Sequence, residues 1–296
     1  MTLKPFSSLH PGFSSPVKWI LILLLFPSCN VAQSLKSEVD NIYNFSPSKL
    51  SKSAQDAKMP ALDGFWAKVK SDTGTWLPPL RNELRAAGHH PFFYYDGAGL
   101  LMSLSHGMPD KELAVQSMTK CNLNDIDHRI YVSALNQLAR DGINVTNAAI
   151  KILADPKFSF FLPEHAMNFT QDYCLAYMLL PQKPAFYSDT LVSLFGKLDA
   201  ATQKSIITTF WLAYTCKGDS LINASIRDKS LKKDVSTYAG DLMSKATLSE
   251  AEKKYVQSEG QNIASIRENA LKRFSDEAVD DLALSTKILR SESKCR

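Results

Sequence analysis

Apolar side chains recur along most of this chain at helical rather than strand spacing. Leu35, Val39, Ile42 and Tyr43 fall at i, i+4, i+7 and i+8, on one face of a helix. A Ser-rich linker around Ser46–Ser53 follows. Between residues 61 and 243, apolar segments alternate with Pro, Gly, Asn and Asp. The pattern predicts helices over Pro91–Ser105, Pro109–Lys120, Asp127–Arg140 and Thr146–Ala154. It predicts more over Phe169–Leu180, Ala185–Leu198, Thr202–Cys216 and Leu231–Ser244. Pro91 suits a first helical position, Asp141-Gly142 ends one helix and Asp155-Pro156 another. No run alternates with period two and closes on a hairpin dipeptide, so the expected fold class is all-α.

Two ends depart from this pattern. Residues 1–32 combine Lys4 and Lys18 with the apolar run Trp19–Phe26, then Pro27 and small or polar residues. A bilayer span needs about 20 apolar residues, so the run reads as an export signal and not a membrane helix. Two processing routes compete. Phe26-Pro-Ser-Cys29 has the form of a degenerate bacterial lipobox, which would place a lipid on Cys29, whereas cleavage after Ala32 would release a secreted chain beginning at Gln33. At the other end, residues 245–296 hold ten Lys/Arg and nine Asp/Glu. Ser249-Glu-Ala-Glu252 is a capping box that would open a long helix there, with Glu250 and Lys254 an i,i+4 pair. The mixed charge reads as a solvated face. The expected organisation is an export signal at 1–32, a helix and linker at 33–60, a helical domain at 61–244 and a charged helical tail at 245–296.

Composition narrows the class. The 296 residues are 45% hydrophobic and 22% charged, which excludes wholesale disorder. The formal charge is +4, of which Lys4 and Lys18 carry two, so nothing calls for a nucleic acid partner. Beyond Cys29, the cysteines are Cys121, Cys174, Cys216 and Cys295. An oxidising compartment permits two disulfides among them, but Cys174 and Cys216 sit in apolar segments and read as buried free thiols. No CxxC spacing occurs.

The segment Asn144-Val-Thr-Asn-Ala-Ala-Ile-Lys-Ile-Leu-Ala-Asp-Pro-Lys-Phe-Ser159 resembles a HEAT-type repeat. An Ala/Leu-rich helix end runs into an Asp-Pro turn and the next helix would follow. The resemblance covers about one repeat and implies an irregular α-solenoid or stacked helical hairpins. Phe158-Ser-Phe-Phe-Leu-Pro163 interrupts the repeat pattern.

Candidate chemistry concentrates in His89-His-Pro-Phe-Phe-Tyr-Tyr-Asp96-Gly-Ala-Gly. Asp96 is the only charge in an apolar helix and needs hydrogen bonds or a cation. Gly97 and Gly99 allow another backbone to approach. Asp125, Asp127 and His128 form a second acid–imidazole group, explained in part by a carboxylate N-cap, and Glu164-His165 a third. His89, His90, Asp96, Asp127, His128, Glu164 and His165 are the candidate ligands of a divalent metal. Asp96, His90 and His128 are the candidate catalytic groups of a hydrolase built on it. No HExxH, GxSxG or Walker A sequence is present, and no organic cofactor is implied. Tyr94, Tyr95, Tyr173 and Trp211 are candidate binding aromatics, although the stripes Phe169/Tyr173/Tyr177/Leu180 and Ile207/Phe210/Trp211/Tyr214 have the spacing of core faces.

The leading expectation is an exported α-helical binding or scaffold protein of the bacterial envelope, periplasmic or held at a membrane only through a lipid on Cys29. Its partner would be a protein or a polysaccharide. An envelope metal-dependent hydrolase and a structural spacer without a pocket are the alternatives.

Overall fold

The computed structural model describes residues 35–153, 155, 159–162, 167–170, 175, 179–259, 263–271 and 276–292. The protein is all-α, with helices packed against one another and one short antiparallel hairpin among the described residues. Helix α1 spans residues 35–42. Three helix pairs follow: α2 (Lys52–Ser71) with α3 (Thr73–Arg85), α4 (Pro91–Leu104) with α5 (Met108–Met118), and α6 (His128–Arg140) with α7 (Thr146–Leu153). The hairpin β1 (Ser159–Leu162) and β2 (Met167–Thr170) pairs Ser159 with Thr170 and Leu162 with Met167. Beyond it lie α8 (Pro184–Phe195), α9 (Ala200–Ala213), α10 (Cys216–Arg227) and α11 (Lys233–Ser244). The last helices are α12 (Glu250–Glu259), α13 (Ile263–Leu271) and α14 (Asp276–Glu292).

Local signals explain most helix starts. Pro91 occupies the first position of α4, with His90 as its N-cap; the His90 Nδ1 accepts from the Phe92 N–H at 3.3 Å. Asp127 caps α6 through the Arg129 and Ile130 N–H groups, at 2.9 and 3.2 Å. The capping box forms as the sequence implies: Ser249 N–H donates to Glu252 at 2.7 Å and Glu252 N–H donates to Ser249 at 3.2 Å. The Glu250 partner is Lys253 rather than Lys254. Gly97 lets α4 close on α3, since a Cβ there would lie 3.0 Å from Leu84.

The second helix of each early pair stacks on the next: α3 packs on α5, and α5 on α7. Ends of these helices are tied by lysines from the following pair. The Lys120 ammonium donates to the carbonyls of Leu84, Arg85 and Ala86 at 2.8, 3.2 and 3.2 Å, satisfying the open C-terminus of α3. Lys151 does the same beyond α5, donating to Thr119 at 2.8 Å and to Cys121. A cation at a helix C-terminus also meets the negative end of the helix dipole. After the hairpin the arrangement repeats in outline, with α8 on α10 and α9 on α11.

One continuous hydrophobic core runs from Leu35 in α1 to Leu282 in α14, so the first and last described helices belong to the same packed body as the middle. The residue 60/61 boundary falls inside α2. The expected linker contains a 3-10 turn, Pro47–Lys49, docked by Ser48 onto Asp125 at 2.6 Å.

Several expectations are corrected. The HEAT-type resemblance implies a helix after Asp155-Pro156, and residues 159–162 are a strand instead. Phe169 stands in β2 opposite Phe160, so the predicted helix does not begin there. The helix predicted over Thr202–Cys216 stops at Ala213, because Tyr214 adopts a left-handed backbone (φ 50°), and Cys216 opens the separate helix α10. The tail is not one long solvated helix. Its α14 packs on α9 and buries Leu282, Ser285, Thr286 and Ile288.

Cys121 is a buried free thiol, donating to the Met118 carbonyl at 3.1 Å, and burial pushes its pKa up to about 11. Cys216, by contrast, is disulfide-bonded and not a free thiol. Cys29, Cys174 and Cys295 lie outside the described residues. No helix among the described residues is long and apolar enough to cross a membrane.

Candidate functional site

The first turns of α4 gather the polar groups that the sequence singles out, and α1 lies across them. Asp96 sits half-buried on α4. Its Oδ2 accepts from the Tyr43 hydroxyl at 2.5 Å and from the Trp66 indole N–H at 2.6 Å. Burial raises the Asp96 carboxyl above the ordinary carboxylate range, against the pull of its two donors, and the nearby Asp63 carboxylate adds to the rise. The Tyr43 hydroxyl is raised too, by burial and by the Asp96 charge.

Aromatic rings surround this carboxylate. Tyr43 packs edge-on against Phe93 at 5.2 Å and Phe65 at 5.7 Å, and Phe92 lies 5.5 Å from Phe45. Trp66, Phe45, Phe92 and Tyr95 are only partly buried. Lysines cover two of the exposed rings, Lys70 over Trp66 at 4.7 Å and Lys58 over Phe45 at 5.3 Å.

His89 serves a different purpose. Its side chain is 2% exposed, with Nδ1 2.7 Å from Asp40 Oδ1 in α1 and Nε2 2.8 Å from Glu83 Oε2 in α3. An imidazolium donates to both carboxylates at once, a neutral ring to only one. His90 belongs to a separate network. With its Nδ1 accepting from Phe92, its neutral tautomer carries the proton on Nε2, 3.2 Å from Ser46 Oγ.

The other candidates disperse. Asp127 is occupied as the α6 cap, and His128 Nε2 lies 3.0 Å from the Leu123 carbonyl. Asp125 accepts from Ser48 and Asn122. Glu164, His165 and Tyr173 lie outside the described residues. Among the described residues no group of three His, Cys, Asp or Glu side chains comes together to hold a metal ion. His89, His90, Asp96, Asp127 and His128 therefore stand in separate hydrogen-bond networks. Each is held by its own partners, and Glu164 and His165, the other members of the expected ligand set, lie outside the described residues.

Two of the candidate binding aromatics are corrected to core positions. Tyr94 is buried, its hydroxyl donates to the Ala86 carbonyl at 2.8 Å, and Lys120 lies 4.7 Å from its ring. Trp211 is buried beneath the Arg290 guanidinium, 4.3 Å from its ring. Tyr95 remains half-buried beside Asp96 in α4. Sequence reasoning passes over Tyr43 and Trp66 as partners of Asp96. The helical stripe that contains Tyr43 is the one signal for the first, and nothing near Trp66 marks its role.

No family model, curated protein or solved structure matches this chain.

The Asp96 site makes a pH prediction. A carboxyl raised in the folded state contributes stability at low pH that is lost as pH rises through its folded value. An asparagine side chain at this position would accept the same two donors without carrying a charge. Asp96→Asn is therefore expected to gain on the wild type as pH rises from about 4, where unperturbed carboxylates ionise, to neutrality. Thermal melts of both proteins across that range check this. A difference that stays constant with pH would show that Asp96 titrates alike in the folded and unfolded chains.

Proposed function

We propose that this is an exported α-helical binding or scaffold protein of the bacterial cell envelope, tethered through a lipid on Cys29 or released after Ala32. The observation that carries the reading is the disulfide at Cys216. Disulfides form and persist in exported and periplasmic proteins and are rare in reducing cytosol. That agrees with the export signal read from residues 1–32. The stacked helix pairs support a HEAT-like scaffold, an architecture whose successive pairs present extended surfaces. The partly exposed aromatics around Asp96 suit a protein or polysaccharide partner, because such rings pair apolar area with polar edges.

Cell fractionation with and without Cys29→Ala tests the reading. The protein is expected in the envelope fraction, with Cys216 blocked to thiol reagents until reduction. Loss of membrane association in Cys29→Ala would identify the lipid route, and unchanged soluble export would identify cleavage after Ala32. A cytosolic protein with a reactive Cys216 would overturn the proposal.

A further inference from the structure

Residues 35–46 lie as a strap over the first two helix pairs. Leu35, Val39 and Tyr43 are its buried anchors, at 0%, 0% and 1% exposure and one helical turn apart. Between them run polar ties to different elements: Glu38 to Lys68 of α2, Asp40 to His89 before α4, and Tyr43 to Asp96 within it. Ser46 adds its contact with His90. This is helix-in-groove recognition, with apolar anchors at i, i+4 and i+8 and charges setting the register.

The link to α2 has a contrasting character. Its 3-10 turn Pro47–Lys49 buries no residue, and Ser48 pins it to Asp125. The strap thus carries nearly all the buried contacts, while the link contributes almost none. We infer that the strap is exchangeable: the groove holding residues 35–46 accepts the same segment from a second copy of this chain. Every anchor and tie would be remade between copies, so only the link changes conformation. That is the condition under which identical elements swap at low cost. Pro47 stiffens the link and narrows the conformations it can adopt.

A fluorescent peptide of residues 33–50, titrated into the full chain, tests this. Tyr43→Phe in the protein weakens the internal strap and leaves the groove intact, so it raises the share of open groove. Peptide binding to that variant is expected to be saturable and about tenfold tighter than to the wild type, matching a strap weakened by about 1.4 kcal/mol. A Tyr43→Ala peptide is expected to bind at least tenfold more weakly. Light scattering of the wild type at rising concentration is expected to show a dimer that excess peptide dissolves. Hydrogen exchange of the wild type supplies a measurement that needs no variant: amides 39–43 are expected to exchange much faster than those of Leu100 and Leu101. No saturable binding, equal binding of the Tyr43→Ala peptide, a monomer at every concentration, or equal protection of strap and α4 would each overturn the inference.

Discussion

Arg290→Ala is expected to lower the unfolding free energy by about 3 kcal/mol, the low end of what breaking a buried ion pair costs. Arg290 of α14 pairs with Asp219 of α10, with side chains 8% and 14% exposed. Its guanidinium also lies over Trp211 and Tyr214, 4.3 and 5.1 Å from the ring centres. Burial lowers the Arg290 pKa and raises that of Asp219 in spite of their mutual attraction, so desolvation weighs heavily on both partners. Alanine would remove the cation and leave Asp219 buried and charged. Its carboxyl would then rise further, and the protonated form needs no cation. The deficit should therefore shrink as pH falls through that raised value, since the variant regains stability by protonating. Arg290→Lys should recover only part, because an ammonium lacks the plane that stacks on Trp211. Urea unfolding at about pH 7 and about pH 4.5, on either side of the range in which a raised carboxyl titrates, measures both effects. A loss below about 1 kcal/mol at neutral pH, the size of an exposed pair, would mean that α14 is held by its other contacts and not by this pair.

The same corner explains why the tail docks at all. Helix α9 ends abruptly at Ala213, exposing carbonyls with no partner in their own helix. Arg267 of α13 donates to the Leu212 and Ala213 carbonyls at 2.8 and 2.9 Å, and the Thr286 hydroxyl of α14 donates to Leu212 at 3.0 Å. The tail completes the C-terminus of α9 much as Lys120 and Lys151 complete α3 and α5. A charged composition therefore serves packing, with cations aimed at helix ends.

The Tyr43 substitutions are expected to separate ring from hydroxyl. Tyr43→Ala removes a fully buried ring that touches Phe65, Phe92 and Phe93. A buried aromatic replaced by alanine costs about 3–5 kcal/mol, so a loss of about 4 kcal/mol is expected. Tyr43→Phe keeps the ring and deletes one donor to Asp96. A hydrogen bond to a charged group contributes about 1.5–3 kcal/mol, and Trp66 still serves the same oxygen, so the expected loss lies at the lower end, about 1.5 kcal/mol. Chemical denaturation of both variants decides. If Phe cost as much as Ala, the hydroxyl rather than the ring would be what fastens α1. If Phe cost nothing, Asp96 would be sufficiently held by Trp66 alone.

Much of the architecture was legible along the chain. Helical periodicity marked all-α packing. The Pro91 start, a carboxylate cap at Asp125 or Asp127 and the Ser249–Glu252 box are legible from residues within four positions of one another, where local hydrogen bonding dictates the outcome. The helix beginning at Cys216 lies between the expected helices Thr202–Cys216 and Leu231–Ser244, and the glycine at its third position lowers its helix propensity. That glycine, Gly218, is required by a close approach, since a Cβ there would lie 2.7 Å from Phe210. Asp96 was recognised as an anomaly, a charge in an apolar helix that must find partners.

Which partners it found was a tertiary matter. Tyr43 lies 53 positions from Asp96 and Trp66 lies 30. Periodicity reports which face of a helix is apolar, never which distant helix meets it. For the same reason the histidines and acids that looked like one ligand set could separate into caps, carbonyl contacts and a buried histidine–carboxylate contact. Thus helix content, helix ends and the oddity of Asp96 came from short-range physics written in the sequence. The strap over α4, the lysines on foreign helix ends and the docking of the charged tail were decided only when the helices packed. Contacts between residues far apart in the chain depend on the assembled three-dimensional surface.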